Sequence, residues 1–285
     1  MTHATAQQKP TRQIARENEL TLLTYLYKFG YLTHQQIAVL MYSENSQGLR
    51  LTQRLVKRMV DNKLLIRHSG GYSERDYIGL SASGARRLSS ALGIATTGAT
   101  LLAPTQHRSN SKGIATPPAS SKDVLRSPTK HRNDSNWAAI LLMREGHDEV
   151  WSEREIQTNR APFRTLGLKI PDALAASDEG QVIWVEVEAS KRGGRDLIAL
   201  VQWLINTAFP RNGVLPFLNP PMDTYWLFRV RFLITANEAK TFPNRLTSQL
   251  QKQLGSEYDD SKWMNLIEFK GFDEANLHPY NINFP

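Results

Sequence analysis

Two glutamates stand two residues apart in an otherwise apolar run, Val182-Ile183-Trp184-Val185-Glu186-Val187-Glu188-Ala189. Alternate residues of a strand point to one face, so Trp184, Glu186, Glu188 and Ser190 share a face and Ile183, Val185, Val187 and Ala189 take the other. Carboxylates on a buried face carry a heavy desolvation cost. A hard cation removes that cost, because Mg²⁺ takes one or two carboxylates and completes its octahedron with water and phosphate oxygens. Asp172, just upstream in Ile170-Pro171-Asp172, would supply a further carboxylate across a hairpin that turns at Asp178-Glu179-Gly180. A cluster of this kind suits metal-assisted hydrolysis of a phosphodiester. The plain alternative for Glu-x-Glu on a strand is a solvated sheet face.

The elements that must position these residues read as one domain from 131 to 285. The pattern predicts a helix over 134–145. At Val150-Trp151 a strand begins, or Ser152 and Glu155 form the capping box of a helix. One strand ends in Pro171-Asp172 and the next carries the glutamates. A helix over 195–209, with Leu197, Leu200, Val201 and Leu204 on its apolar surface, is followed by a loop with four prolines at 210–223. The apolar run 225–236 suits a strand in a sheet interior. A helix over 244–254 and a strand over 265–272 complete an α/β (α+β) arrangement around a mixed sheet.

Residues 14–93 read as a winged helix-turn-helix. A first helix over 14–28 stops at Phe29-Gly30, and Thr33 caps a second. Ser43-Glu44-Asn45-Ser46 makes the turn to a third helix over 47–62. Its Arg50, Arg54, Lys57 and Arg58 share an arc beside Leu51, Leu55, Val56, Met59 and Val60, so the basic side is the candidate surface for a DNA major groove. Two strands around Gly70-Gly71 form the candidate wing, and a closing helix runs from Ser81 to Leu92. The alternative is a basic helical bundle that binds protein or RNA. Residues 94–130, rich in Ser, Thr, Pro and Ala with scattered cations, read as a flexible basic linker.

Charge follows the same division. Residues 1–93 hold thirteen Lys and Arg against six Asp and Glu, whereas residues 135–285 hold sixteen against nineteen. A basic front and an acidic rear fit nucleic-acid binding ahead of a carboxylate site. The chain has no cysteine, which excludes disulfides and thiolate-bound zinc. Its start lacks the apolar run of a signal peptide, and no stretch is apolar enough to span a bilayer, so a soluble cytoplasmic protein is expected.

Pro-Asp followed by Glu-x-Glu on the next strand resembles the PD-(D/E)XK nuclease fold, over roughly residues 136–272. The resemblance implies that Asp172 and Glu186 hold Mg²⁺ or Mn²⁺. Glu188 stands where the motif usually has lysine, a departure that leaves either Glu188 as the base or Lys191 reaching in from the strand end. Glu153 resembles the acid that many such enzymes supply from the first helix or its end; the alternative is a helix-start acid favoured by the dipole.

The whole series, a winged helix, a linker, His131-x4-Asn136, Trp151-x-Glu153, Pro171-Asp172 and Glu186-x-Glu188-x-x-Lys191, resembles the MOBC-type relaxases and the related replication-relaxation proteins of plasmids and integrative elements. That resemblance implies a nickase acting on double-stranded DNA at a transfer-origin-like site, with a coupling protein and accessory DNA-binding proteins as partners. His131 would contact the scissile phosphate or take part in acid chemistry; the alternative for a lone histidine at a linker–helix junction is a surface residue. None of the seven histidines forms the His-x-His pair of the common histidine-hydrophobe-histidine relaxases. No tyrosine near the carboxylates stands out as a nucleophile, so water attack is expected. The competing expectation is a DNA-binding regulator of plasmid replication or transcription with a degenerate nuclease fold, and RNA binding is a third.

Overall fold

A computed structural model describes residues 10–68, 76–93, 130–158, 160–161, 169–189, 192–208, 226–235, 240–274 and 277–282. The chain divides into two units, Met1–Pro128 and Thr129–Pro285.

Local caps set the helix boundaries of the first unit. Its elements are α1 (Thr11–Phe29), β1 (Tyr31–Thr33), α2 (His34–Met41), α3 (Ser46–Asp61), β2 (Leu65–His68), β3 (Tyr77–Leu80) and α4 (Ala82–Leu92). Thr33 and Gln36 form a reciprocal capping box at α2, Asn45 accepts from the Gly48 amide at α3, and Ser81 accepts from the Gly84 amide at α4. Each cap satisfies amides that a helix start leaves open. Gly48 has a second reason to be glycine: a Cβ there would lie 2.1 Å from the Ser43 carbonyl oxygen. The turn between α2 and α3 therefore closes directly on the start of α3.

The three strands form an antiparallel sheet in the order β1-β3-β2. β1 is an addition to the sequence expectation. The expected hairpin partners, β2 and β3, do pair, but the Gly70-Gly71 turn lies outside the described residues, as does the linker over 94–129. Lys130, expected in the linker, is the first residue of the second unit's opening helix. On α3 the buried side is Gly48, Thr52, Leu55, Val56 and Met59. Leu51, expected on that side, is exposed: counting back from Leu55 and Met59 by helical turns puts Thr52 and Gly48 inward.

The second unit contains α5 (Lys130–Arg144), β4 (Glu149–Ser152), α6 (Glu153–Gln157), β5 (Ala173–Ala176), β6 (Gln181–Glu188), α7 (Gly194–Ala208), β7 (Trp226–Ile234), α8 (Phe242–Leu254), a 3-10 turn (Gly255–Glu257), α9 (Asp260–Leu266), β8 (Ile267–Phe272) and β9 (Pro279–Ile282). Both readings of residues 150–155 hold, since β4 runs straight into a capping box of Ser152 and Glu155 at α6. The fold is thus mixed α and β around one six-stranded sheet, ordered β4-β5-β6-β7-β8-β9. β4, β5 and β6 form an antiparallel meander, β6, β7 and β8 are parallel, and β9 closes antiparallel. α6, α9 and β9 are additions to the expected order.

One face of the sheet carries Trp184, Val230 and Phe232, which pack with Leu197, Leu204 and Leu246 of α7 and α8 in one core. Val185 and Leu233 on the other face line one small cavity together with Ala138 and Leu141 of α5. Parallel strands covered on both sides explain the continuous apolar runs of β6 and β7. Among the described residues, no helix is long and apolar enough to cross a membrane.

Pro171-Asp172 does not end a strand, contrary to the sequence expectation; β5 begins immediately after it. Proline has no N–H for the ladder, so pairing begins with the Asp172 amide, which donates to the Val185 carbonyl at 3.0 Å. Gly180, at φ 83°, makes the tight return from β5 to β6.

Candidate active site

The register Ala173↔Val185 brings Asp172, one step earlier, opposite Glu186. Asp172 stands just before β5 and Glu186 near the end of β6, and both are buried, at 5% and 2% exposure. Glu188 is buried to the same degree as Glu186. Glu-x-Glu is therefore not a solvated face, and a buried carboxylate needs partners.

Asp172 is held by three donors. Its Oδ1 accepts from Ser135 Oγ at 2.9 Å and lies 2.9 Å from His131 Nε2, and its Oδ2 accepts from the Val187 amide at 2.7 Å. His131 and Ser135 are one turn apart on α5, so both reach the same oxygen. The hydrogen bond to Asp172 is the main reason the His131 imidazole is raised to about 9, against the opposing effect of burial. His131 is thus a partner of the carboxylate rather than a free surface residue. It is cationic at neutral pH, with half its side chain open to solvent.

Glu186 is held by two donors. Trp184, two residues earlier on the same face, donates from Nε1 to Oε1 at 2.6 Å. Lys169 donates to Oε2 at 2.5 Å. Burial raises the Glu186 carboxyl to about 7; the Lys169 ammonium works against that rise and the charge of Asp172 adds to it. Glu188 receives Arg192 Nε on both oxygens, at 2.7 and 2.9 Å. Burial raises its carboxyl as well, and Arg192 opposes.

Glu153 comes from the start of α6 rather than from the first helix. Its amide donates to the Asp172 carbonyl at 3.1 Å, and its Oε1 accepts from Gln157 at 2.6 Å. Burial raises its carboxyl, the charge of Asp172 adds to the rise, and Arg132 and His131 oppose it. Asp172, Glu186, Glu188, Glu153 and His131 therefore form one electrostatic neighbourhood. Lys191 lies outside the described residues.

Three participants carry no clear mark in the sequence. Lys169 reaches a partner seventeen residues ahead, across the hairpin. Arg192 follows Glu188 by four residues beyond the strand end. Ser135 completes an i,i+4 pair with His131. The usable signal is the opening of α5, where Asn133, Asp134, Ser135 and Asn136 are consecutive polar residues ahead of Trp137-Ala138-Ala139-Ile140. All four are buried. Asp134 accepts from Thr235 Oγ1 at 2.7 Å, and the Thr235 amide donates to the Glu188 carbonyl at 3.1 Å, so this polar turn is tied to the ends of β6 and β7.

The net effect is an acidic floor with a cationic rim. Lys130, His131, Arg132, Lys169 and Arg192 come from three separate segments. Arg245 joins through the Arg192 carbonyl at 2.8 Å. The carboxylates of the floor offer oxygen donors, the type a hard cation takes. Asp172 and Glu186 are the residues that could hold one, and at Glu186 the Lys169 ammonium already supplies a positive charge. Among the described residues, no group of three or more His, Asp or Glu side chains is gathered for metal binding.

On α3 of the first unit, Arg50, Arg54, Lys57 and Arg58 are all exposed. Arg58 lies 3.2 Å from Glu19 of α1, and Lys57 lies 3.2 Å from Asp61. Arg50 and Arg54, one turn apart, have no ion-pair partner among the described residues.

Compared with family models, with curated proteins and with solved structures, the chain matches none.

Proposed function

We propose that this chain is a metal-dependent DNA endonuclease that nicks one strand by hydrolysis, in the manner of a relaxase acting at a transfer origin. The observation that carries the reading is the pair Asp172 and Glu186, buried and opposite one another at adjoining strand ends. The helix, antiparallel meander, helix and parallel strand of the second unit support a PD-(D/E)XK-like fold. The α2–α3 pair with a three-stranded sheet supports a winged helix, whose α3 would lie in the major groove.

In this reading Asp172 and Glu186 would hold Mg²⁺ or Mn²⁺, which would supply a Lewis acid for the phosphate and a water of lowered pKa. His131 and Arg192 draw the negative phosphodiester to the acidic floor. Ser135 and the Val187 amide fix the orientation of Asp172. Glu188, clamped by Arg192, orders the far side of the site. Cytoplasmic location, a coupling protein and accessory DNA-binding proteins belong to the same reading.

The test is incubation of the full chain with supercoiled plasmid carrying its own element's DNA, with Mg²⁺, Mn²⁺ or EDTA. Wild type is expected to give open circles only with metal, and Glu186→Gln none. Equal cleavage by Glu186→Gln would overturn the assignment.

A second reading has its own support. Lys169 and Arg192 already neutralise Glu186 and Glu188, as expected of a DNA-binding regulator that needs no metal. Duplex binding indifferent to divalent ions, with no strand breakage, would favour it.

A further inference from the structure

Lys169 stands at the centre of an arrangement that its ion pair alone does not explain. Its ammonium is 2.5 Å from Glu186 Oε2 and also 5.9 Å from the ring centre of Trp203 on α7. The Trp203 ring lies 4.7 Å from that of Trp184. Trp184 in turn donates to the other oxygen of Glu186. The indole N–H thus holds Oε1, and the cations of the site stand at Oε2. Lys169 holds it directly, and Arg192 Nη2 stands 3.8 Å from the same oxygen.

We propose that Lys169 is a tethered counter-cation that exchanges with a divalent ion at Oε2 of Glu186, moving onto the face of Trp203 as the ion takes its place. This rests on the metal-dependent reading above. Two positive charges on one carboxylate oxygen in a buried site repel strongly. A lysine has a flexible four-carbon stem and a compact charge, so it can leave one partner for another without moving the backbone. An indole face is the best aromatic surface for an ammonium, and Trp203 is already within the distance at which the attraction acts. Lys169 is therefore a positioning residue. It keeps the strand end folded around Glu186 before metal arrives, and it sets how much divalent ion the site requires.

The exchange is read without DNA, on the full chain. Acetic anhydride labelling of Lys169, followed by peptide mass spectrometry, is expected to speed up severalfold when Mn²⁺ replaces EDTA. In Glu186→Gln the label should enter fast under both conditions. In calorimetry, Lys169→Gln is expected to bind Mn²⁺ about tenfold more tightly than wild type, because one competing charge is gone, while Lys169→Arg stays near wild type. Labelling of wild type needs no substitution to fold. Labelling unmoved by Mn²⁺, no Mn²⁺ binding, or Lys169→Gln binding no tighter than wild type would each overturn the proposal. A chain that shows the exchange yet leaves plasmid uncut loses the endonuclease reading alone. A chain that cuts plasmid while Lys169 labelling stays constant loses the exchange alone.

Discussion

Arg192 grips Glu188 by both carboxylate oxygens, one turn of chain beyond the end of β6. Glu188 is 2% exposed, so its charge has little water to fall back on. Removing one member of a buried pair leaves the other uncompensated, which costs about 3–5 kcal/mol. The side chain of Arg192 is partly open, so Arg192→Ala should fall at the lower end of that range in urea unfolding. Replacing both residues by apolar ones of similar size should restore most of the loss. Unchanged stability in Arg192→Ala would mean that the pair does not hold the strand end.

Acidity should tell Glu186 and His131 apart in metal-free protein. Glu186 is raised from its ordinary value to about 7, so the folded chain binds its proton more tightly and stability falls as pH rises from about 4.5 to 7. His131 is raised to about 9, so its stabilisation is complete below about 6.5 and is lost as pH rises through 9. Urea unfolding in EDTA should show stability declining across both windows. Glu186→Gln should make the lower window shallower, with Glu188 and Glu153 keeping part of it, and His131→Ala should flatten the upper. A His131→Ala chain with the wild-type slope above pH 6.5 would refute the His131–Asp172 pairing.

Asp172 takes hydrogen bonds from Ser135 and from the Val187 amide. Asp172→Ala would strand that buried amide, at a cost of about 1–3 kcal/mol. Asp172→Asn keeps an acceptor and should lose less stability. Both should abolish plasmid nicking. Nicking retained by Asp172→Asn with wild-type metal dependence would remove Asp172 from the metal-holding pair.

The arc on α3 should divide by its partners. Arg50 and Arg54 are free of ion pairs among the described residues, whereas Arg58 is committed to Glu19. Each phosphate contact contributes about 0.9 to the slope of log K against log salt. Arg50→Gln with Arg54→Gln should therefore lower that slope by roughly 2 in duplex binding. Glu19→Gln should leave Arg50 and Arg54 untouched and release Arg58, raising the slope by about 0.9 at most. A double variant with an unchanged slope would rule out α3 as the docking face.

The features legible in the amino-acid sequence are mostly local. Thr33, Ser81 and Ser152 mark helix starts by their own chemistry, and each one is a cap; Asn45, read as part of a turn, is one too. The apolar periods of β6, β7 and α7 are strong because both sheet faces are covered. β1 escapes because three residues carry too few alternations to register, and β9 because it opens on a proline, which has no N–H for a ladder. Leu51 misleads because a leucine beside a basic arc satisfies an amphipathic wheel from either side. Asp172, Glu186 and Glu188 stand out by type and spacing, whereas Glu153 and His131 are singled out only through the family resemblance. Lys169 is not, since nothing near a lysine in a polar stretch announces a glutamate seventeen residues ahead.

The buried polar turn of α5 has a consequence for how the protein comes into being. Asp134 finds Thr235 at a separation of 101 residues, and β7 lies parallel to β6 only after the whole of α7 has crossed over. Contacts of such long reach form late. A ribosome that stalls before residue 235 therefore releases a chain that lacks α8, α9 and β8 and has no finished acidic floor. Whatever the floor does waits until the last parallel strands have closed.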